Sequence, residues 1–420
     1  MFLKKIVMIG FCLVLFPVCI ALAVETASPS PARVLSWENC LELGFTNSQD
    51  LQMAAKNVQV AQENVKQAKA ALGVTVDYSI VRANDHTNTD SIEYNSGTLS
   101  LNLPFLNYFK LSNSLKVAEL ELAKAREEER QARMELTFEI RKALYSLWLK
   151  ERELAVAQAS YDNLGQHYQT IKKMYGVGNK AGYELLEAEV AWKGQKAEVI
   201  SALSDLSLAK LALATLTGID KDQDIQLVYD PSLQQLPEKI QLTLQTLLDK
   251  AEKQRPDLVQ AKQNMEIAQF NLRIAKSNNL PALSLAWTQT DLNDESQLAL
   301  SINGTLFDNK ATAAKVKAAE RMVEIARLNQ LKTSDKARQT VQKIFETIRV
   351  DLENAFVFKA NIDLAAEDLR LTEIRYTAGM STIMDVKDRQ LALDKARNDY
   401  YRKSASYLTD LAELDLEISN

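Results

Sequence analysis

Few residues of this 420-residue chain have the types and spacing that chemistry needs. Asp385 and Asp388 stand three apart, so one face of a helix carries both carboxylates. What such a pair offers is electrostatic, and on a solvated helix start it only favours the helix dipole. The chain has no nucleophile motif, glycine-rich phosphate loop or cysteine cluster. His86 falls in a polar loop and His167 on a heptad helix, neither with a partner at metal-ligand spacing. No metal, no cofactor and no enzymatic activity are expected.

The elements that position the two aspartates come from a duplication. Asp50 to Lys69 aligns without a gap on Asp257 to Lys276, with Leu51/Leu258, Ala54/Ala261, Asn57/Asn264 and Ala61/Ala268 among the identities, at a shift of 207. Farther along the shift is 201, where Lys116, Glu119, Ala125, Tyr175 and Gly178 recur as Lys317, Glu320, Ala326, Tyr376 and Gly379. Each copy reads helix, two strands, very long helix, glycine turn, helix. The first repeat is expected over 24–220 and the second over 241–420. An irregular link at 221–240 carries Pro231 and Pro237.

The apolar period identifies the elements. Val74, Val76 and Tyr78, then Leu99 and Leu101, alternate with polar residues, and Leu285 and Trp287, then Leu300 and Ile302, do the same. Strands are expected at about 73–82, 97–106, 282–291 and 297–307. Long helices are expected at about 109–174 and 309–376, with return helices at 181–216 and 382–418. In the first long helix Ile140, Leu147, Leu154, Tyr161, Tyr168 and Tyr175 recur every seven residues, and Leu115, Leu122, Leu136 and Ala143 hold a second seam. Two seams require neighbours on both sides, and at 1.5 Å per residue the helix is about 100 Å long. With 12 glycines and 8 prolines, the fold class is mostly α with a small β part.

Lys4 and Lys5, the apolar run Ile6 to Val24 and the triplet Ala21-Leu22-Ala23 read as a signal peptide over 1–23. The alternative is an uncleaved anchor of spanning length. Cys12 and Cys19 leave with this segment, so Cys40 has no disulfide partner in the mature chain. Without Lys4 and Lys5 the net charge goes from −5 to −7, which excludes a basic nucleic-acid surface. No later stretch approaches 18 uncharged apolar residues; Val199 to Ile219 is broken by Asp205 and Lys210.

Four strands in an exported chain pose a physical problem. Their apolar faces are too regular to leave in water, yet an open sheet cannot sit in lipid, where unpaired backbone groups find no partner. The barrel must therefore be shared: two chains give eight strands and three give twelve, and only the larger leaves room for an aqueous lumen. The residues that face lipid are then Val74, Val76, Tyr78, Leu99, Leu101, Leu285, Trp287, Leu300 and Ile302.

The chain resembles the TolC-like outer-membrane factors over nearly its whole mature length. The resemblance rests on Arg255-Pro256-Asp257-Leu258, on the passages Leu103-Pro104-Phe105 and Gly304-Thr305-Leu306-Phe307-Asp308, and on Tyr376-Thr377-Ala378-Gly379 leading into Asp385-Val386-Lys387-Asp388. It implies a homotrimer with a shared 12-stranded β-barrel in the outer membrane and an α-helical tunnel in the periplasm. It implies an exit duct for an efflux system with a periplasmic adaptor (membrane fusion protein) and an inner-membrane pump. By the same resemblance, Asp385 and Asp388 ring the tunnel entrance, and Tyr376 and Glu184 match a closing network. Its basic position falls on Ser381 and its polar partner on Tyr183, so the ion-pair latch of the family lacks its cation there. Val177, Gly178, Asn179 and Gly379 match the tips that meet the adaptor. Two alternatives stand beside the efflux duct: a type I protein-secretion channel, and a periplasmic coiled-coil adaptor or structural rod. Two hairpins and two strand pairs in equivalent places favour a duct over an adaptor.

Overall fold

A computed structural model describes residues 33–86, 91–103, 107–220, 225–228, 236, 243–278, 280–290, 295–305 and 307–418. The expected signal segment, Pro104, Phe105, Leu306 and most of the 221–240 link lie outside the described residues.

After β1 (Arg33–Leu35), Ser36 caps α1 (Trp37–Asn47) by accepting from the Asn39 N–H. Ser48 caps α2 (Gln49–Ala70) in the same way through Leu51. β2 (Thr75–His86) and β3 (Ser91–Leu103) form an antiparallel hairpin. Next, α3 (Tyr108–Gly176) runs for 69 residues, and α4 (Gly182–Thr217) returns along it. β4 (Ile225–Leu227) pairs in parallel with β1. The second copy follows with α5 (Leu244–Gln254), α6 (Pro256–Lys276), β5 (Ala282–Thr290), β6 (Glu295–Asn303), α7 (Ala311–Thr377) and α8 (Ile383–Glu417).

Three strand ends differ from the alternation. β2 and β3 extend to His86 and Ser91 instead of stopping at 82 and 97, because ladder hydrogen bonds pair the backbone regardless of side-chain polarity. β6 stops at Asn303 and not at 307; Gly304 follows, packed so closely that a Cβ there would lie 3.2 Å from Pro281.

The helices lie side by side in one layer. Near the strands its order is α2, α3, α6, α7; toward the glycine turns it is α4, α3, α8, α7. The two long helices therefore run through both halves, and α7 is an edge throughout. α4 holds the Val199 to Ile219 stretch up to Thr217, and by length and composition alone it is apolar enough to cross a membrane even with Asp205 and Lys210 in it. Position explains this: Ala188, Ala191, Val199 and Leu213 are buried within the helical layer, whereas Leu186, Val190, Ile200 and Leu208 stay exposed on its edge.

The duplication reaches into the packing. Cys40, Ile140, Leu147 and Leu213 form a core where α1 meets α3 and α4, and Leu247, Val341, Ile348 and Leu414 form its counterpart at shifts of 207 and 201. Cys40 thus fills the place of Leu247 as a small buried hydrophobe, and burial pushes its thiol up to about 11.

Candidate functional site

Two regions follow from this frame, one at each end of α3. At the strand end the sheet order is β2, β3, β5, β6. Val76, Leu101, Leu285 and Leu300 align across it, as do Tyr78, Leu99, Trp287 and Leu298, so the apolar residues share one face. Ile302 lies on this face opposite Leu283, and Val74, just before β2, is exposed. The other face carries Thr75, Asn102, Ser284 and Ser301 in one row, and Asn102 donates to Asp77 over 2.7 Å. Among the described residues β2 and β6 have one partner strand each.

At the far end the two glycine turns have the same geometry. Gly178 has φ +80° and Gly379 φ +75°, a conformation in which a Cβ is strained. Asn179 N–H donates to Met174 O and Met380 N–H to Arg375 O, each over 2.8 Å, the 6→1 bond that closes a helix end. Val177 is 74% exposed and Met380 is 72% exposed, so both turns present an apolar side chain at the extreme tip. In the sequence only Gly379 marks this turn, and nothing local singles out Met380.

The polar residues of this end form a contact between the hairpins. Ser381 donates to Thr372 O over 3.2 Å and so stays within its own repeat. The residue 201 positions before Ser381 is itself a cation, Lys180. Its Nζ lies 4.7 Å from the centroid of the Tyr376 ring and 3.3 Å from the Glu184 carboxylate. Tyr376 is buried, and burial raises its phenol while the Lys180 charge pulls it back. Partial burial works against the Lys180 charge, but Tyr376 and Glu184 outweigh it and raise the ammonium above its usual range. Glu184 thus holds Lys180, and Lys180 meets Tyr376; Tyr183 is 65% exposed. Beside them His167 Nε2, on α3, lies 3.5 Å from Glu373 Oε1 on α7, with its ring edge-on to Tyr376. The 201-residue shift marks Lys180 in the sequence, whereas no local spacing links His167 to Glu373, which lies 206 positions away.

Asp385 has a structural duty. It is the fourth residue of a capping box: it accepts from the Thr382 N–H over 2.7 Å, and the Thr382 hydroxyl accepts from the Asp385 N–H. Those bonds hold the Asp385 carboxyl below the usual carboxylate range, so it is ionised at neutral pH. Asp388 lies one turn on, and both carboxylates are exposed. Among the described residues no group of three or more His, Cys, Asp or Glu side chains is arranged to hold a metal.

A family model described as Outer membrane efflux protein matches residues 43–219 and 247–417, one match per repeat. The cation efflux system protein CusC of Escherichia coli O6:H1 is 24% identical over 372 residues, covering 87% of this chain and 76% of its own length. The alkaline protease secretion protein AprF of Pseudomonas aeruginosa is 22% identical over 407 residues, covering 89% and 82%. The solved structure of VceC from Vibrio cholerae superposes with a TM-score of 0.77 at 18% identity, covering 91% of this chain and 96% of that one. With a duplicated helical layer, one two-faced sheet and a family match over both repeats, the chain belongs to the outer membrane efflux protein family of non-enzymatic outer-membrane channels.

Proposed function

We propose that three copies of this chain form the exit duct of a tripartite efflux system, passively conducting small molecules or ions from an adaptor and an inner-membrane pump to the exterior. Channels of the family are trimeric and work with adaptors and pumps in efflux or secretion. The observation that carries the reading is that, among the described residues, both layers of a single chain end on the same sides with no further element in the layer: β2 with α2 and α4, and β6 with α7. Joining β6 of one copy to β2 of the next, with α7 against α2 and α4, closes both layers at once. Three four-stranded sheets give twelve strands, enough for a wet lumen lined by the Thr75, Asn102, Ser284 and Ser301 face.

Asp385 and Asp388 then ring the entrance and favour cations, and Val177, Gly178, Asn179 and Gly379 offer the tips to the adaptor. The Tyr376, Lys180 and Glu184 contact holds the two hairpins of each copy together there. The name of CusC favours a small cargo, and that of AprF favours the secretion reading. The test is native mass spectrometry in detergent followed by planar-bilayer recording. A mass of three chains and discrete cation-preferring conductance are expected; a monomer, or recovery with soluble periplasmic proteins, would overturn the duct. Asp385→Asn with Asp388→Asn lowers the cation preference, and unchanged selectivity removes the entrance ring.

A further inference from the structure

The apolar face of the sheet is short. On β5 it consists of Leu283, Leu285 and Trp287, opposed on β6 by Ile302, Leu300 and Leu298. The next row, Ile80, Gly97, Gln289 and Ser296, is apolar only at Ile80, and beyond it Arg82 pairs with Asn95. Leu283 and Trp287 stand four residues apart, about 13 Å along a strand. At a barrel tilt of about 40° the three apolar rows cover about 10 Å of height, or about 15 Å with the reach of their side chains, against a lipid-facing band about 25 Å tall. About 10 Å of apolar surface is therefore missing from the sheet, and the polar row at Gln289 and Ser296 shows that it does not lie on the hairpin side.

The helix side supplies it. Leu280, three residues before Leu283, is 46% exposed, and Phe307, five residues after Ile302, is 83% exposed. Tyr108 and Phe109, which open α3 just after β3, are each 58% exposed. Three to five residues of chain reach at most about 10–17 Å, so these side chains stand within the missing height. The four junctions lie at one level because β2, β3, β5 and β6 are paired side by side. Resting on the reading of the sheet as lipid-facing, we propose that the inner leaflet of the outer membrane covers these junctions as well, with Leu280, Tyr108, Phe109 and Phe307 among its acyl chains. Charge marks where the apolar layer ends. Lys69 and Lys276 sit in the last turns of α2 and α6, and Lys110 and Lys310 at the starts of α3 and α7, cations whose long stems reach phospholipid phosphates from the edge of the hydrocarbon. The membrane boundary thus falls on the first helical turns and not at the end of the sheet.

The experiment attaches a nitroxide to the trimer of each single variant Phe109→Cys, Phe307→Cys, Leu300→Cys, Ser301→Cys and Glu320→Cys, reconstituted in phosphatidylcholine vesicles. Cys40 is fully buried and stays unlabelled. Collisions with oxygen, which concentrates in hydrocarbon, are compared with collisions with a water-soluble nickel chelate. The labels at 109 and 307 are expected to favour oxygen and to lose contact with nickel, as the label at 300 on the apolar face does. Those at 301, on the polar face, and at 320, farther down α7, are expected to meet nickel. Native mass confirms a trimer for each variant, and Leu280→Cys takes the place of either junction variant that does not assemble. A junction label that meets nickel while the label at 300 keeps to oxygen overturns this inference and leaves the duct standing, with the membrane thinned to the height of the sheet. A label at 300 that meets nickel overturns the lipid-facing sheet, and this inference with it.

Discussion

Gly44 and Ile140 exchange one methyl group with their counterparts in the second repeat. A Cβ on Gly44 would lie 2.5 Å from Ile140 Cδ1. Ala251 has that Cβ, and the side chain at the position equivalent to Ile140 is Val341, which lacks the clashing carbon. Gly165 repeats the logic: a Cβ there would come within 3.0 Å of Trp192, while the second repeat pairs Ala366 with the smaller Leu393. Gly44→Ala is therefore expected to destabilise the first core by about 1–3 kcal/mol, as overpacking does. Adding Ile140→Val recovers most of the loss, and a double-mutant cycle from denaturant unfolding in detergent measures the coupling. Charge makes a second residue-level prediction at Asp410. Burial, and then Asp351 and Glu413, push its carboxyl up to about 6 against the opposing pull of Lys403. Between its ordinary value and that one the folded protein keeps a proton that the unfolded chain has released, so stability falls as pH rises through this window. Asp410→Asn is expected to raise the unfolding temperature at pH 8 and to converge with the wild type near pH 4.

At the scale of elements the edges matter most. β2 and β6 are the outer strands of the sheet, and neither carries a proline or bulge that would block another strand. Single cysteines on β2 and on β6 are therefore expected to cross-link between copies, whereas pairs on β2 and β5 are not. The readout is a denaturing gel after mild oxidation, and Cys40 does not interfere because it is fully buried. The tips differ in how their return helices start. Thr382 gives α8 a capping box, whereas α4 begins at Gly182 after Ala181 with no side-chain cap. Thr382→Ala is expected to cost about 1 kcal/mol locally, read as faster amide exchange over the first turn of α8.

For the whole molecule, the outward face of α4 separates folding from assembly. Leu203 and Leu208 are at least half exposed in a single chain, yet they lie on a helix apolar enough to pass for a membrane span. Changing both to Glu is expected to abolish the native trimer mass while helix content by circular dichroism stays intact, because the α3–α4 core around Leu147 and Leu213 is untouched. The duplication, the four strands with one apolar face, the long helices and their glycine stops were all legible in the residues. Each is carried by a local period or by identity at a fixed shift, and neighbours in the chain suffice to specify it. What the tertiary structure alone decided is which groups meet across the hairpins. Lys180 comes to lie over the ring of Tyr376, His167 finds Glu373 more than 200 positions away, and β3 pairs with β5 to make one sheet of two hairpins. Such contacts depend on the order and rotation of packed helices, set by side-chain volumes across interfaces, and no local period encodes that.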